Sequence, residues 1–364
     1  MIASHVANCV VSGDELAATA CWQLATAPFE TLFVINDDQR LTGFLNKYYH
    51  FPRYSESKKH ITALEACRKD VQFVYDTDDY FGQARNIFAE YPTITSIPVV
   101  NRDMRLCDVV FRFECFYEEY YATAKAMKGN TRSFFPYPVY AACMWDAALV
   151  ADKAGYDAFS VIEFGVAGGN GLVACEYHAD AIRRKLGLEV QVYGFDTGHG
   201  LPKPSGVKDL HYIWPEGSFR MDVEALKARL RKAILVLGDI RETLVDFVKV
   251  YNPAPVGAML IDVDFYSSTV PILDFLEQDH MFFLPIISMY FDDIGFGKSE
   301  FQGEALAIRE FNSRNGQLKI SPEGIDCTRK GDFSKIKNCV RFSHPKIGEE
   351  AQWLTPESHR PLVY

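Results

Sequence analysis

The second half of the chain alternates short apolar runs with segments of helical periodicity. Continuous apolar runs predict strands that are buried on both faces, and the helices between them predict parallel crossovers. The pattern therefore indicates a doubly wound α/β domain with a mostly parallel sheet, whose ligands bind at the carboxyl ends of the strands. The predicted strands cover residues 160–164, 190–195, 233–237, 256–261 and 286–291, with two weaker strands at 318–320 and 339–342. Helices are predicted at 172–185, 222–231, 242–250, 270–278 and 303–312.

The N-terminal third contains an internal repeat. Residues 31–45 and 96–110 share a strand–turn–strand pattern, and four identical residues recur at a constant offset of 65 positions. These pairs are Asn36 and Asn101, Asp38 and Asp103, Arg40 and Arg105, and Leu41 and Leu106. Helical segments at 14–25 and 79–90 precede the two copies, so two similar units are expected to pack together.

This repeat resembles a tandem cystathionine-β-synthase-type (CBS) pair. The resemblance implies a small α+β domain over residues 1–118 that binds adenine nucleotides or forms a dimer. The stretches 43–47 and 108–112, where the family has a small residue and an aspartate, depart from the family pattern. A docking or dimerisation module is therefore favoured over nucleotide binding, and a homodimer is expected. A helical connector is expected at 119–158, the second domain at 159–345, and a C-terminal tail at 346–364.

Composition narrows the class of protein. The chain has 364 residues and a formal net charge of −10, without a block of lysine or arginine, which argues against a nucleic-acid partner. Nine scattered cysteines, none in a C-x-x-C pair, suit free thiols in a reducing compartment. Neither a signal peptide nor a membrane span is apparent. A cytoplasmic protein without a membrane partner is expected.

Polar residues follow three successive predicted strands. The first strand ends in a glycine-rich turn containing Glu163, Gly165 and Gly168, whose spacing differs from that of dinucleotide-binding turns. A carboxylate beside this turn suits a cationic ligand better than a pyrophosphate. Asp196 ends the second strand, where it can accept the two hydroxyls of a ribose. Asp239 and Ile240 follow the third strand, at a position suited to an adenine edge.

Four aspartates follow the fourth and fifth strands. Asp262 and Asp264 lie two residues apart, and this spacing places them on the same side of an extended chain. Asp292 and Asp293 end the neighbouring strand. Such carboxylates repel one another unless a hard divalent cation neutralises them. The alternative is structural: helix caps, with Asp264 or Ser267 capping the following helix, or salt bridges.

The strand-end segments resemble those of class I S-adenosylmethionine-dependent methyltransferases of the macrocin O-methyltransferase type. The resemblance covers residues 159–315 and is carried by VIEFGVAGGNG, VYGFDTGHGLP, LVLGDIRETL, LIDVDFYSST and MYFDDIGF. It implies a Rossmann-like fold with a final antiparallel strand, and S-adenosylmethionine as cofactor. It also implies Glu163, Gly165, Asp196 and Asp239 at that cofactor.

The same resemblance supports Mg²⁺ or a similar divalent cation on Asp262, Asp292 and Asp293. Asp262 is in addition a candidate cofactor contact.

A methyl transfer to a hydroxyl of a small molecule, such as a sugar, needs a base for the hydroxyl proton. Asp264 is the first candidate, and His199 and His280 are the competing ones. Two other functions stay open: a nicotinamide-dependent oxidoreductase, and a non-catalytic sensor of a cofactor or nucleotide. The segment 294–302 is glycine-rich, and a lid over the acceptor is expected there.

Overall fold

The computed structural model describes most of the chain and divides it into two compact units. The described residues are 4–7, 9–26, 31–46, 50, 53–55, 60–91, 94–116, 119–120, 122–123, 137–294, 301–315, 320 and 339–343. The first unit lies within Met1–Cys115, and the second within Phe116–Pro322 together with the strand at 339–343. The expected tail, the lid segment at 295–300 and residues 318–319 lie outside the described residues.

The first unit consists of two small sheets and short helices. The strands are Val10–Ser12 (β1), Thr31–Ile35 (β2), Leu41–Asn46 (β3), Val74–Tyr75 (β4), Ser96–Val100 (β5) and Leu106–Phe111 (β6). The helices are Ser4–Ala7 (α1), Ala17–Thr26 (α2), Ala63–Ala66 (α3) and Tyr80–Glu90 (α4), and a 3₁₀ turn spans Arg112–Phe116. The sheets have the orders β1-β2-β3 and β4-β5-β6, and in each a parallel pair is followed by an antiparallel hairpin.

The two hairpins share the same turn geometry. Gln39 and Met104, 65 positions apart, both have a φ of 62°. Asn36 Oδ1 accepts the Arg40 N–H at 2.9 Å, and Asn101 Oδ1 accepts the Arg105 N–H at 3.0 Å. The turns also pair with each other through the Arg40–Arg105 bridge. The recurring asparagines of the sequence are thus explained by turn geometry.

The second unit contains a six-stranded sheet of order β12-β11-β10-β7-β8-β9. Its strands are Ala158–Phe164 (β7), Glu189–Asp196 (β8), Ile234–Leu237 (β9), Val256–Ile261 (β10), Phe283–Phe291 (β11) and Cys339–Ser343 (β12). Its helices are Pro138–Ala154 (α5), Asn170–Leu186 (α6), Val223–Lys227 (α7), Ile240–Thr243 (α8), Phe247–Tyr251 (α9), Tyr266–Phe275 (α10) and Gly303–Arg314 (α11). Strands β7 to β11 are parallel and β12 is antiparallel, so the predicted α/β class and the antiparallel last strand are confirmed.

The central strands are buried because helices cover them. Every residue of β10 and β11 is buried, and α5 packs on both of these strands. Helix α5 starts with Pro138 in its first turn and ends at Gly155, whose φ of 76° suits glycine. Almost all of α5 is buried, which agrees with its apolar composition.

Two predicted helices are wrong in extent. The helix expected at 222–231 is only Val223–Lys227, because the chain leaves the helix before Arg231. There the backbone N–H groups of Arg231, Lys232 and Ala233 donate to the buried Glu176 carboxylate. The helix expected at 242–250 is two short helices, α8 and α9. In the part of the chain that the structure describes, no helix has the length and apolar character needed to cross a bilayer.

Candidate functional site

The turn after β7 approaches the neighbouring strand end very closely. Gly165 has a φ of 86°, and a Cβ at this position would lie 1.8 Å from the carbonyl oxygen of Asp262. A side chain is therefore excluded for two independent reasons, strain and collision. The glycine keeps the end of β7 and the end of β10 adjacent.

Asp196 organises the same turn from the end of β8. Its Oδ2 accepts the N–H groups of Val166 and Ala167, both at 2.9 Å, and its Oδ1 accepts the N–H of Gly198 at 2.7 Å. The half-buried carboxylate lines the cavity described below. Asp196 therefore shapes two loops in addition to its expected role toward a ribose.

Glu163 lies beneath the turn and does not line the cavity. The side chain is 2% exposed, and its Oε1 accepts the Tyr140 hydroxyl at 3.1 Å. Burial raises the pKa of Glu163 well above its usual range, and the charges of Asp262 and Asp196 add to this while the Tyr140 bond opposes it. Glu163 Oε2 has no hydrogen-bond partner among the described residues. A cation or donor near this oxygen would satisfy it.

Asp239 is held by its own neighbour. Its carboxylate caps α8 by accepting the Arg241 N–H at 2.9 Å, and it also pairs with the Arg241 guanidinium. The hydrogen bond from the Arg241 guanidinium is the largest cause that lowers the pKa of Asp239. Asp239, Ile240 and Arg241 all line the cavity. Arg241 was not foreseen, because an exposed arginine after a strand has no distinguishing pattern.

Three aspartates form a compact cluster at the ends of β10 and β11. One carboxylate oxygen from each of Asp262, Asp292 and Asp293 lies within 4.8 Å of the others. Asp262 and Asp292 are half-buried and Asp293 is buried. The Tyr290 hydroxyl donates to Asp292. Three converging oxygen donors match the ligands that hard divalent cations prefer.

Asp264 lies beside the cluster, but its backbone conformation is not the extended one that the sequence suggested. Strand β10 ends at Ile261, and Asp264 has a φ of 60°, so the chain is not extended there and the period-two argument for Asp262 and Asp264 was wrong. Asp264 nevertheless lines the cavity and hydrogen-bonds Asp293. Burial, this bond and the charges of the three aspartates raise its pKa. The repulsion expected of the four carboxylates is therefore present.

The helix-cap alternative is not supported. Helix α10 begins after Phe265 without a side-chain cap, and Ser267 donates instead to Asp209.

Glu304 is a further carboxylate at this corner that the sequence analysis missed. It stands in the first turn of α11, is fully buried, and accepts the Asp293 N–H on Oε2 at 2.9 Å. Burial, with the charges of Asp293 and Asp262, raises its pKa well above the usual range. The sequence predicted the helix at 303–312, but nothing in that prediction indicated that Glu304 contacts Asp293.

A single cavity joins the glycine turn to the acidic cluster. Its volume is about 360 Å³, within the range of small-molecule sites. Its lining includes Gly165, Asp196, Gly238 and Asp239, and also Asp262, Asp264, Ser268, Asp292 and Asp293. Tyr137, Trp214 and Phe219 add aromatic surface.

The segment between β8 and α7 borders this cavity and is tied to the rest of the unit. Buried Asp209 accepts the N–H of Ser205 at 2.6 Å and the N–H of Ser267 at 2.9 Å. Trp214 and Phe219 of the same segment have ring centroids 5.3 Å apart. Their contribution was missed, since an irregular segment of 26 residues carries no periodicity to read.

Three predicted site residues lie away from the cavity lining, as Glu163 does. Gly168 and His199 are exposed on the turns beside it, and His280 stands at a 3₁₀ turn next to Asp279. Neither histidine is in a position to compete with Asp264 in this arrangement.

Comparison with known proteins gives structural similarity only. No family model and no curated protein matches the chain. CBS domains of a transcriptional regulator from Streptococcus pneumoniae match with 14% identity and a TM-score of 0.26, covering 31% of this chain and 88% of that one.

Two methyltransferase structures also match. The calicheamicin methyltransferase CalS11 has 20% identity and a TM-score of 0.38, covering 63% of this chain and 93% of its own. The O-methyltransferase NovP has 13% identity and a TM-score of 0.39, covering 55% and 78%. Both resemblances noted in the sequence are thus found among solved structures. At such identities and scores these matches carry no argument about function, which is inferred from the cavity itself.

Proposed function

We propose that the chain is an S-adenosylmethionine-dependent, divalent-metal-assisted O-methyltransferase that acts on a hydroxyl of a small molecule. The observation that carries this proposal is the shared cavity: Asp262, Asp292 and Asp293, whose carboxylate oxygens converge, line it together with Gly165 and Asp196. A methyl donor and a metal-activated acceptor need this adjacency.

The residues fit both absent groups. Asp262, Asp292 and Asp293 would hold the cation, since their oxygens supply the hard donors that it needs. Asp196, Asp239 and Ile240 would hold the nucleoside. Burial favours the neutral form of Glu163, and a cationic cofactor bound at the turn would favour its charged form, since Oε2 has no hydrogen-bond partner among the described residues.

When bound, S-adenosylmethionine supplies an activated methyl group and a divalent cation lowers the pKa of a nearby hydroxyl. Asp264 lines the cavity next to the cluster and accepts the acceptor's proton as general base. Burial is the main cause that raises the Asp264 pKa, followed by the bond to Asp293 and the neighbouring charges; a bound cation would offset the contribution of the charges and favour the basic form of Asp264. The walls of the cavity position the two reactants, which contributes much of the rate.

Isothermal titration calorimetry of the full chain tests the cofactor. We expect saturable binding of S-adenosylmethionine and none of NAD, while AMP reports separately on the first unit. If S-adenosylmethionine does not bind, or NAD binds in its place, the methyltransferase proposal is wrong.

Manganese titration followed by electron paramagnetic resonance tests the metal. Asp292→Asn is expected to weaken Mn²⁺ binding at least about tenfold, while the matched control Asp246→Asn, at an exposed aspartate without a cap hydrogen bond, leaves it unchanged. Equal Mn²⁺ affinity in both variants would remove the cluster from metal binding.

Asp264→Asn should abolish release of S-adenosylhomocysteine with an active acceptor and leave cofactor affinity nearly intact; unchanged turnover would exclude the base role.

A further inference from the structure

Tyr137 lines the same cavity in an unfavourable backbone conformation. It precedes α5 with φ 43° and ψ 80°, a left-handed region that bulky aromatic residues seldom adopt. Such strain persists only where surrounding structure holds the residue in place. The position of the Tyr137 ring at the cavity is therefore imposed by its neighbours.

An aromatic wall holds this ring. Tyr137 packs on Tyr140 with ring centroids 4.8 Å apart and planes 30° from parallel. Tyr140 is buried and donates to Glu163. Its ring and that of Tyr290 are arranged edge to face, with centroids 5.9 Å apart. Tyr290 in turn donates to Asp292. The wall thus connects Glu163, beneath the glycine turn, with Asp292 of the acidic cluster.

Acidic side chains surround the Tyr137 position. After burial, the charges of Glu163, Asp262 and Asp292 are the main causes that raise the pKa of Tyr137 to about 12. These three carboxylates belong to three neighbouring strands, β7, β10 and β11. A cation in the cavity beside this ring gains from both the carboxylates and the electron-rich aromatic face.

On the basis of the proposed function, we infer that the Tyr137 ring contacts the sulfonium end of S-adenosylmethionine and distinguishes it from the uncharged product. The product S-adenosylhomocysteine differs by one methyl group and by the loss of the positive charge at sulfur. A cation–π contact is lost with that charge, whereas the nucleoside and amino-acid contacts stay the same. Tyr137 therefore favours donor binding over product retention.

Calorimetry of the full-length chain with the two ligands tests this role. For Tyr137→Leu we expect the Kd of S-adenosylmethionine to rise about 3- to 30-fold, while the Kd of S-adenosylhomocysteine changes less than about twofold. Tyr137→Phe keeps the ring and is the matched control, with both affinities close to wild type. Tyr137→Met serves if the leucine variant does not fold, as judged by thermal unfolding.

The outcomes separate this inference from the proposed function. Parallel weakening of both ligands in Tyr137→Leu would show that the ring only fills space, and would overturn the inference. Equal losses in Tyr137→Phe and Tyr137→Leu would assign the effect to the hydroxyl and overturn it as well. Failure of wild-type protein to bind either ligand would instead overturn the proposed function.

Discussion

Several residues at the site hold backbone conformations that most side chains avoid. Gly165 has a φ of 86°, and the non-glycine residues Tyr137, Ala167 and Asp264 also have positive φ. These residues lie where β7 and β10 end and where α5 begins. Local strain is thus concentrated around the cavity, where it directs side chains and N–H groups toward one point.

Substitution of the turn glycines should separate collision from strain. Gly165→Ala adds both, so the free energy of unfolding should fall by at least about 3 kcal/mol. Gly187 has a φ of 77°, but no atom lies within 4 Å of the Cβ that alanine would add. The free energy of unfolding of Gly187→Ala should therefore fall by only about 1 kcal/mol. Gly168→Ala meets neither problem and should stay within about 0.5 kcal/mol of wild type. Chemical denaturation measures all three; an equal effect of Gly165→Ala and Gly187→Ala would contradict the close approach of β7 to Asp262.

His50 provides a pH-dependent contribution in the first unit. Burial is the main cause that lowers its pKa to about 4, backbone hydrogen bonds at Asn46 and Ala66 oppose this, and the charges of Arg53 and Arg68 add to it. The folded pKa lies below the unfolded value near 6.5, so the unfolded state binds the proton first. Stability is therefore fully present above pH 6.5 and declines as the pH falls toward 4, by on the order of 3 kcal/mol.

Hydrogen exchange of first-unit peptides between pH 4 and 7, corrected for intrinsic exchange rates, measures this decline. The non-titrating variant His50→Gln should show a flatter pH dependence across the same window. A slope identical to that of wild type would assign the acid sensitivity to other groups.

At the scale of elements, polar side chains determine where strands and turns begin. Glu176 accepts three successive backbone N–H groups at 231–233 and so starts β9 at the edge of the sheet. In the first unit the paired asparagines do the same for the two hairpin turns. These contacts explain boundaries that apolar periodicity alone placed incorrectly.

The two hairpin turns should respond differently to the same substitution. Asn36→Ala removes one hydrogen bond, to the Arg40 N–H, whereas Asn101→Ala removes two, to the N–H groups of Asp103 and Arg105. At about 1 kcal/mol for each bond, the second variant should be destabilised about twice as much as the first. Asp37→Ala, at an exposed position in the first turn, is the control, with an expected change within about 0.5 kcal/mol. Equal losses at both asparagines, measured by chemical denaturation, would contradict the role of the extra bond.

At the scale of the whole molecule, all residues of the candidate site come from the second unit. The cavity lining runs from Tyr137 to Asp293, and none of the described residues within Met1–Cys115 belongs to it. The CBS-like unit therefore does not supply any of the described lining groups. Its two sheets share one apolar core of their own, which includes Phe33, Phe44, Phe88 and Val99.

Ligand protection should follow this division. With Mg²⁺ present, S-adenosylmethionine at about 100 times its Kd should stabilise the second unit by about 2.7 kcal/mol. Hydrogen exchange should slow in peptides covering 163–168, 196–203, 238–241 and 262–268, and stay unchanged in peptides from 9–116. Protection of the first unit at the same ligand concentration would show either energetic coupling or a second site there.

Much of the fold and part of the site follow from the order of residues alone. Apolar strands alternating with helices require a covered parallel sheet, and in such a sheet the carboxyl ends of neighbouring strands meet at one edge. Asp196, Asp262 and Asp292 could therefore be expected near one another before any coordinates. The repeat likewise predicted two matching hairpins, because Asn36 and Asn101 recur at the start of both turns and each accepts the backbone N–H four residues later.

The remaining features depend on contacts between residues far apart in the chain. Whether Glu163 faces the cavity or the core is decided by Gly171 and Tyr140, which pack against it from other elements. Glu304 and Tyr137 reach the site only because α11 and α5 start beside the strand ends. Side-chain direction depends on local φ and on the packing of such neighbours. Neither can be predicted from the periodicity or spacing of residues in the sequence. The chain order thus specifies which strand ends meet, and the packed structure selects the side chains that face the cavity.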